Sequence, residues 1–141
     1  MMFGERVPLL RLAQNGDTGS AELIVWWAVL ADSTATADTT GAVRCGPRAD
    51  DQRMCTVRKQ LDFRQVARDL DSLGAWTLAL DCAPGLALSI SDAGELLIQR
   101  VTGARRTGYT CNAPQHRNNA PGKQAQAIMV YLYQLTRDAG Y

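Results

Sequence analysis

The most telling pattern in the chain is a run of apolar residues with no polar interruption, Leu23-Ile24-Val25-Trp26-Trp27-Ala28-Val29-Leu30. Such a run predicts a strand, here residues 22–30, with both faces covered, and places Trp26 and Trp27 on opposite sides. One tryptophan then packs beneath helices, while the other meets a loop, a second layer or another molecule. Residues 7–14 read as a preceding strand. Asn15-Gly16 and a second glycine within residues 15–20 supply the turn of a hairpin. Residues 42–45 and 54–60 read as two further short strands. They are joined by residues 46–53, which hold Gly46, Pro47, Asp50 and Asp51 and are flanked by Cys45 and Cys55.

The period then changes. Asp62 is a good N-cap, and Phe63, Val66, Ala67, Leu70 and Leu73 follow one helical face until Gly74 ends it. Residues 76–80 read as an alternating strand with Trp76 and Leu78 on one side. Residues 86–112 read as strands broken at 92–94 and at 102–105, and the second break predicts a hairpin of residues 96–101 with 107–112. A polar loop over residues 112–120 holds Pro114, Arg117 and His116, the single histidine of the chain. A last helix begins near Pro121, with Ala125, Ile128, Met129, Leu132 and Leu135 on one face and Gly140 at its end. Four strands, a helix, several strands and a helix predict an α+β fold: a mainly antiparallel sheet with two amphipathic helices packed on one face, in a single domain over residues 1–141.

Composition narrows the function classes. With 46% apolar and 21% charged residues, the chain of 141 residues has the balance of a globular domain large enough to bury a core. Fifteen basic against fourteen acidic side chains leave a formal charge of +1, so no global field draws the protein to nucleic acid. Few aromatic residues are interleaved with basic ones, which also argues against base stacking. The apolar run is far shorter than the ~20 residues of a membrane helix, so no membrane insertion is expected.

The cysteines, Cys45, Cys55, Cys82 and Cys111, are never spaced as Cys-x-x-Cys. Disulfides are the leading explanation, with four buried free thiols as the alternative. Bridges Cys45–Cys55 and Cys82–Cys111 are preferred, with cross-pairing open. Each would stabilise the fold by about 2–4 kcal/mol and would persist only outside a reducing cytosol, in the periplasm or after secretion. The acidic residues before the apolar run do not suit an export signal, so the expectation is a leader removed upstream of Met1.

Candidate chemistry is sparse. No serine elbow, phosphate loop or dinucleotide fingerprint is present, and one histidine without paired cysteines supports neither a metal site nor a cofactor. A Cys45–Cys55 bridge would make residues 46–53 a stapled finger presenting Arg48, Asp50, Asp51 and Arg53, the first candidate contact surface. Local basic pairs, Arg105 with Arg106 and Arg58 with Lys59, could recognise one acidic group. The Asn112–Ala120 loop and an apolar patch around Trp27 are further candidates.

The stretch Leu73-Gly74-Ala75-Trp76-Thr77-Leu78, then Asp92-Ala93-Gly94, then Gly108-Tyr109-Thr110-Cys111-Asn112-Ala113-Pro114 and a closing helix resembles small exported bacterial proteins of uncharacterised function. The resemblance covers the second half of the chain and implies compartment and fold without an active site. Two expectations of different class follow. One is a binding or inhibitory (immunity-type) envelope protein whose partner is another protein, and a homodimer through the apolar hairpin is compatible with it. The other is a small enzyme acting on an anionic substrate where Arg105, Arg106, His116 and Arg117 converge.

Overall fold

In the computed structural model, residues 6–30, 43–46, 52–76, 95–102, 104–112 and 117–141 are described. The strands are β1 (Val7–Asn15), β2 (Thr18–Leu30), β3 (Val43–Cys45), β4 (Gln52–Leu61), β5 (Glu95–Thr102) and β6 (Arg105–Asn112). The helices are α1 (Phe63–Ser72) and α2 (Ala120–Asp138). The α+β class is as expected: a mainly antiparallel sheet with two helices. The strands β5 and β6 form a separate two-stranded ladder. The chain clusters into two compact units, Met1–Val66 with Leu132–Tyr141, and Ala67–Tyr131.

The first unit holds a four-stranded antiparallel sheet in the order β1-β2-β4-β3. After β2 the chain runs to the far edge at β3 and returns as β4 between them, so the apolar strand β2 is hydrogen-bonded on both sides. Pro8, which has no N–H to donate, lies on the edge strand β1, where a proline is tolerated.

The first hairpin turn is tighter than the sequence predicts. Asn15 pairs with Thr18, leaving only Gly16 and Asp17 between the strands. Gly16 takes φ +63°, as the primed two-residue turns require of their first residue. Thr18 Oγ1 donates to the Asn15 carbonyl at 2.9 Å and closes the turn. Gly19, expected in the turn, belongs to β2 instead. A Cβ there would lie 2.6 Å from carbons of the Phe63 ring, so the strand needs glycine for packing rather than for turning.

Helix α1 is capped by the expected Asp62, and α2 by Asn119, which the sequence pattern does not single out. The Gln65 N–H donates to Asp62 Oδ1 at 3.2 Å, and the Gly122 N–H donates to Asn119 Oδ1 at 2.8 Å. Each helix ends on a left-handed glycine, Gly74 at φ +70° and Gly140 at φ +90°. In α1 the Gly74 N–H reaches the Asp71 carbonyl and the Ala75 N–H that of Leu70. In α2 the Gly140 N–H reaches Arg137 and the Tyr141 N–H reaches Thr136. These paired bonds satisfy the last carbonyls and turn the chain back over the helix end. The consequence for α1 is a buried Ala75, with Trp76 in the turn that follows rather than opening a strand.

The second unit buries Leu70, Ala75, Leu96, Cys111, Ala125 and Ile128. Two hydrogen bonds tie α1 to α2 within it. The Tyr131 hydroxyl donates to Asp69 Oδ2 at 2.9 Å, and Gln124 Nε2 donates to the Leu73 carbonyl at 2.9 Å. Leu96 faces Cys111 across the β5–β6 ladder, which closes at Thr102 and Arg105. Arg105 and Arg106 are therefore strand residues, paired with Thr102 and Val101. The expected strands at residues 77–80 and 86–91 lie outside the described residues.

Candidate contact surface

Register decides which side chains share a face. Directly paired residues lie on the same side of a sheet, and successive residues alternate. The odd-numbered side chains of β2 (Ala21, Leu23, Val25, Trp27 and Val29) therefore share one face with Leu10 and Leu12 of β1, Cys55 and Val57 of β4, and Val43 and Cys45 of β3. This inner face forms the core of the first unit: Leu23, Val25, Trp27, Cys55 and Val57 are buried, with Leu135, Ala139 and Tyr141 packed against them.

Trp27 is held from two sides. The chain reversal at Gly140 carries Tyr141 onto it, with ring centroids 6.0 Å apart and planes 29° from parallel. Arg6 lies 4.2 Å from the ring centroid, within the range of a cation–π contact. Trp27 is only 5% exposed, so it belongs to the core and not to an open surface.

Cys45 faces Cys55 directly across β3 and β4, and the two form a disulfide on the inner side. The chain inside this bridge spans a sequence separation of 10 residues. Cys111 is also disulfide-bonded, and its expected partner Cys82 lies outside the described residues. No described cysteine is a free thiol.

The even-numbered side chains of β2 build the outer face. Register places Val7, Leu9 and Arg11 of β1 beside Trp26, Ile24 and Glu22. On the other side, Gln60, Arg58, Thr56, Met54 and Gln52 of β4 stand beside Glu22, Ile24, Trp26, Ala28 and Leu30, with Arg44 of β3 beyond Thr56. Ile24 and Ala28 are buried and Trp26 is half-buried, whereas Leu9, Leu30 and Met54 stay 45%, 47% and 41% exposed. These side chains make a diagonal apolar stripe across three adjacent strands.

The stripe has a charged rim. Glu22 Oε1 pairs with Arg58 Nη1 at 3.0 Å, and its Oε2 accepts from Gln60 Nε2 at 3.0 Å. Arg11 and Arg44 are both exposed. Among the residues that register places on this face, three arginines (Arg11, Arg44, Arg58) stand against one glutamate (Glu22), a net of +2.

Apart from Arg58, the residues singled out by sequence as contacts fall elsewhere or lie outside the described residues. Arg48, Asp50, Asp51 and His116 lie outside the described residues, as does the Arg106 side chain. Arg53 is half-buried and on the inner side of β4, beside Val29. Arg105 is exposed on β6, and Arg117 is half-buried just before α2. Arg58 and Lys59 are successive strand residues on opposite faces and do not act as one cluster. Among the described residues, no three of histidine, cysteine, aspartate or glutamate come together as a metal site. No helix among them is long and apolar enough to cross a membrane.

Leu9, Leu30, Met54, Arg11 and Arg44 were not singled out by sequence. Alternation in residues 54–58 and the Asn15-Gly16 turn could have aligned Leu9 with Ile24, but the direct pairing of β2 with β4, which skips β3 in the sequence, leaves no local signal. The chain matches no protein-family model, and no curated protein or solved structure is detectably similar to it.

Proposed function

We propose that this chain is a non-enzymatic binding or inhibitory protein of the bacterial envelope, of immunity type, and that the outer face of its four-stranded sheet is the contact surface. The observation that carries this is the exposure of three large apolar side chains, Leu9, Leu30 and Met54, around Trp26 on one sheet face. A single exposed leucine has no meaning, but adjoining apolar residues with a polar rim are the usual composition of an interaction site. A sheet also holds such a surface rigid before contact, so little ordering entropy is lost on binding. The Cys45–Cys55 bridge fixes the strand ends beside Met54 and supports an oxidising compartment, periplasmic or extracellular.

A photo-crosslinking residue in place of Met54, compared with one in place of exposed Arg64 on α1, tests the assignment in an envelope extract of the producing cell. A discrete adduct from position 54, absent from position 64, is expected. Identical adduct patterns from both positions, or none from position 54, would remove the outer face as the working surface.

A further inference from the structure

From the charges around the outer face, and resting on the binding function proposed above, we infer the chemistry of the partner: a protein segment whose apolar side chains are flanked by carboxylates. Two features of the face point this way. The first is sign. Its three arginines outnumber its one glutamate, and both oxygens of Glu22 are already engaged, by Arg58 and Gln60. An incoming carboxylate therefore meets Arg11 and Arg44 at opposite margins of the stripe, whereas an incoming lysine or arginine meets like charge.

The second feature is size. From Leu9 to Leu30 the stripe covers six residue steps of β2, roughly 20 Å, and three strands, roughly 14 Å across, for a footprint on the order of 300 Å². A stable dimer buries about 800 Å² on each partner. Two copies of this chain meeting through the stripe would fall well short of that and would bring two faces of net positive charge together. A single amphipathic segment of another protein matches the footprint and opposes the charge. An anionic lipid surface would satisfy the sign, but the apolar residues form a narrow stripe bordered on both sides by polar strand residues, Arg11 and Glu22 at one end and Gln52 at the other. That shape suits a ridge better than a bilayer plane.

The test uses the full oxidised chain and two synthetic 18-residue helical peptides with the same leucine stripe, one flanked by glutamates and one by lysines. Binding is followed through the side-chain methyl NMR signals of Leu9, Leu30 and Met54. The glutamate peptide is expected to shift these signals and to bind at least about tenfold more tightly than the lysine peptide at low salt, with the difference shrinking as ionic strength rises. The double variant Arg11→Glu/Arg44→Glu should invert the preference, Met54→Asp should abolish binding of either peptide, and Arg64→Glu should change neither.

Equal binding of both peptides, or preference for the lysine peptide, overturns the inference while leaving the outer face as a contact surface. If neither peptide moves the Leu9, Leu30 and Met54 signals at millimolar concentration, the inference and the binding function assigned to this face both fall. Micromolar dimerisation in sedimentation that Met54→Asp abolishes would identify a second copy as the occupant. Binding to phosphatidylglycerol vesicles that the same variant abolishes would identify a lipid surface. Either result overturns the inference. The wild-type comparison of the two peptides decides the matter even if a variant fails to fold.

Discussion

Removing the Cys45–Cys55 staple by Cys45→Ala/Cys55→Ala measures how strongly β3 and β4 are held at the end of the sheet nearest Met54. Closing a loop with a sequence separation of 10 restricts the unfolded chain by an amount worth about 2.7 kcal/mol at 25 °C. Cys55 is fully buried beside Trp27, so deleting its sulfur also leaves a small void, costing roughly 1 kcal/mol more. The sum, about 3–4 kcal/mol, is a substantial share of the roughly 5–15 kcal/mol that holds a domain of this size together. It corresponds to a fall in melting temperature of about 10 °C.

Urea denaturation followed by tryptophan fluorescence reads this directly, because Trp27 loses the stacked Tyr141 ring on unfolding. The midpoint should fall, with the slope unchanged or slightly steeper because the unfolded chain expands further without the crosslink. Before denaturation, the oxidised wild type should take up no alkylating reagent, and the variant should still take up none, since Cys111 keeps its own bridge. A stability loss below about 1 kcal/mol would refute the reasoning, since it would mean that the unfolded chain is as restricted without the bridge as with it. Alkylation of wild-type thiols without reductant would refute the oxidised state itself.

Gly19→Ala should destabilise the fold by about 1–3 kcal/mol in the same urea assay, because the new methyl group must displace the Phe63 ring from 2.6 Å. Gly19→Ala/Phe63→Leu should recover part of that loss, and a neutral Gly19→Ala would contradict the close approach. Tyr131→Phe should cost about 1 kcal/mol by removing the bond to Asp69. Burial, with the hydrogen bond and charge of Asp69 adding to it, holds the Tyr131 hydroxyl well above the usual tyrosine range. A folded-state value raised above the unfolded one gives stability that is complete below about pH 10 and is lost as pH rises beyond it. Stability should accordingly decline above pH 10 in the wild type and less steeply in Tyr131→Phe, and parallel pH profiles would contradict the assignment.

Several elements were legible in the sequence because their signals are local. Asp62, the apolar spacing from Phe63 to Leu73 and Gly74 specify α1 from one end to the other, and its caps form as their chemistry requires. The unbroken apolar run of β2 predicts a strand with both faces covered. Its inner face is buried through Leu23, Val25 and Trp27, whereas on its outer face Ile24 and Ala28 are buried but Trp26 is half-buried and Leu30 exposed. The Cys45–Cys55 pairing was legible because a short hairpin brings its own ends together. Long-range packing was not. Gly19 reads as a turn glycine beside Asn15-Gly16, and nothing nearby reports a ring 44 positions away in sequence. Trp27 reads as a contact residue because nothing in its neighbourhood announces that Gly140 will fold Tyr141 over it. The contact face itself depends on β2 pairing directly with β4 while β3, which precedes β4 in sequence, takes the far edge, and a strand of three residues carries too little pattern to fix that order.

That pairing also determines how tightly the outer face can bind. With Leu9, Leu30 and Met54 each 41–47% exposed, covering them would remove on the order of 250 Å² of apolar surface from water, worth roughly 6 kcal/mol at 25 cal/mol per Å². Association itself costs about 4–15 kcal/mol in lost translational and rotational freedom. The apolar stripe therefore comes close to offsetting that cost and leaves little net affinity. Useful affinity has to come from the margins, where Arg11 and Arg44 stand exposed. A partner that presents apolar groups alone would dissociate quickly, and one that presents charge alone would find the arginines well solvated. Together, the hydrophobic contribution fixes the register of the complex and the arginines select which partner is kept, so binding at this face should weaken when either the apolar centre or the basic rim is removed.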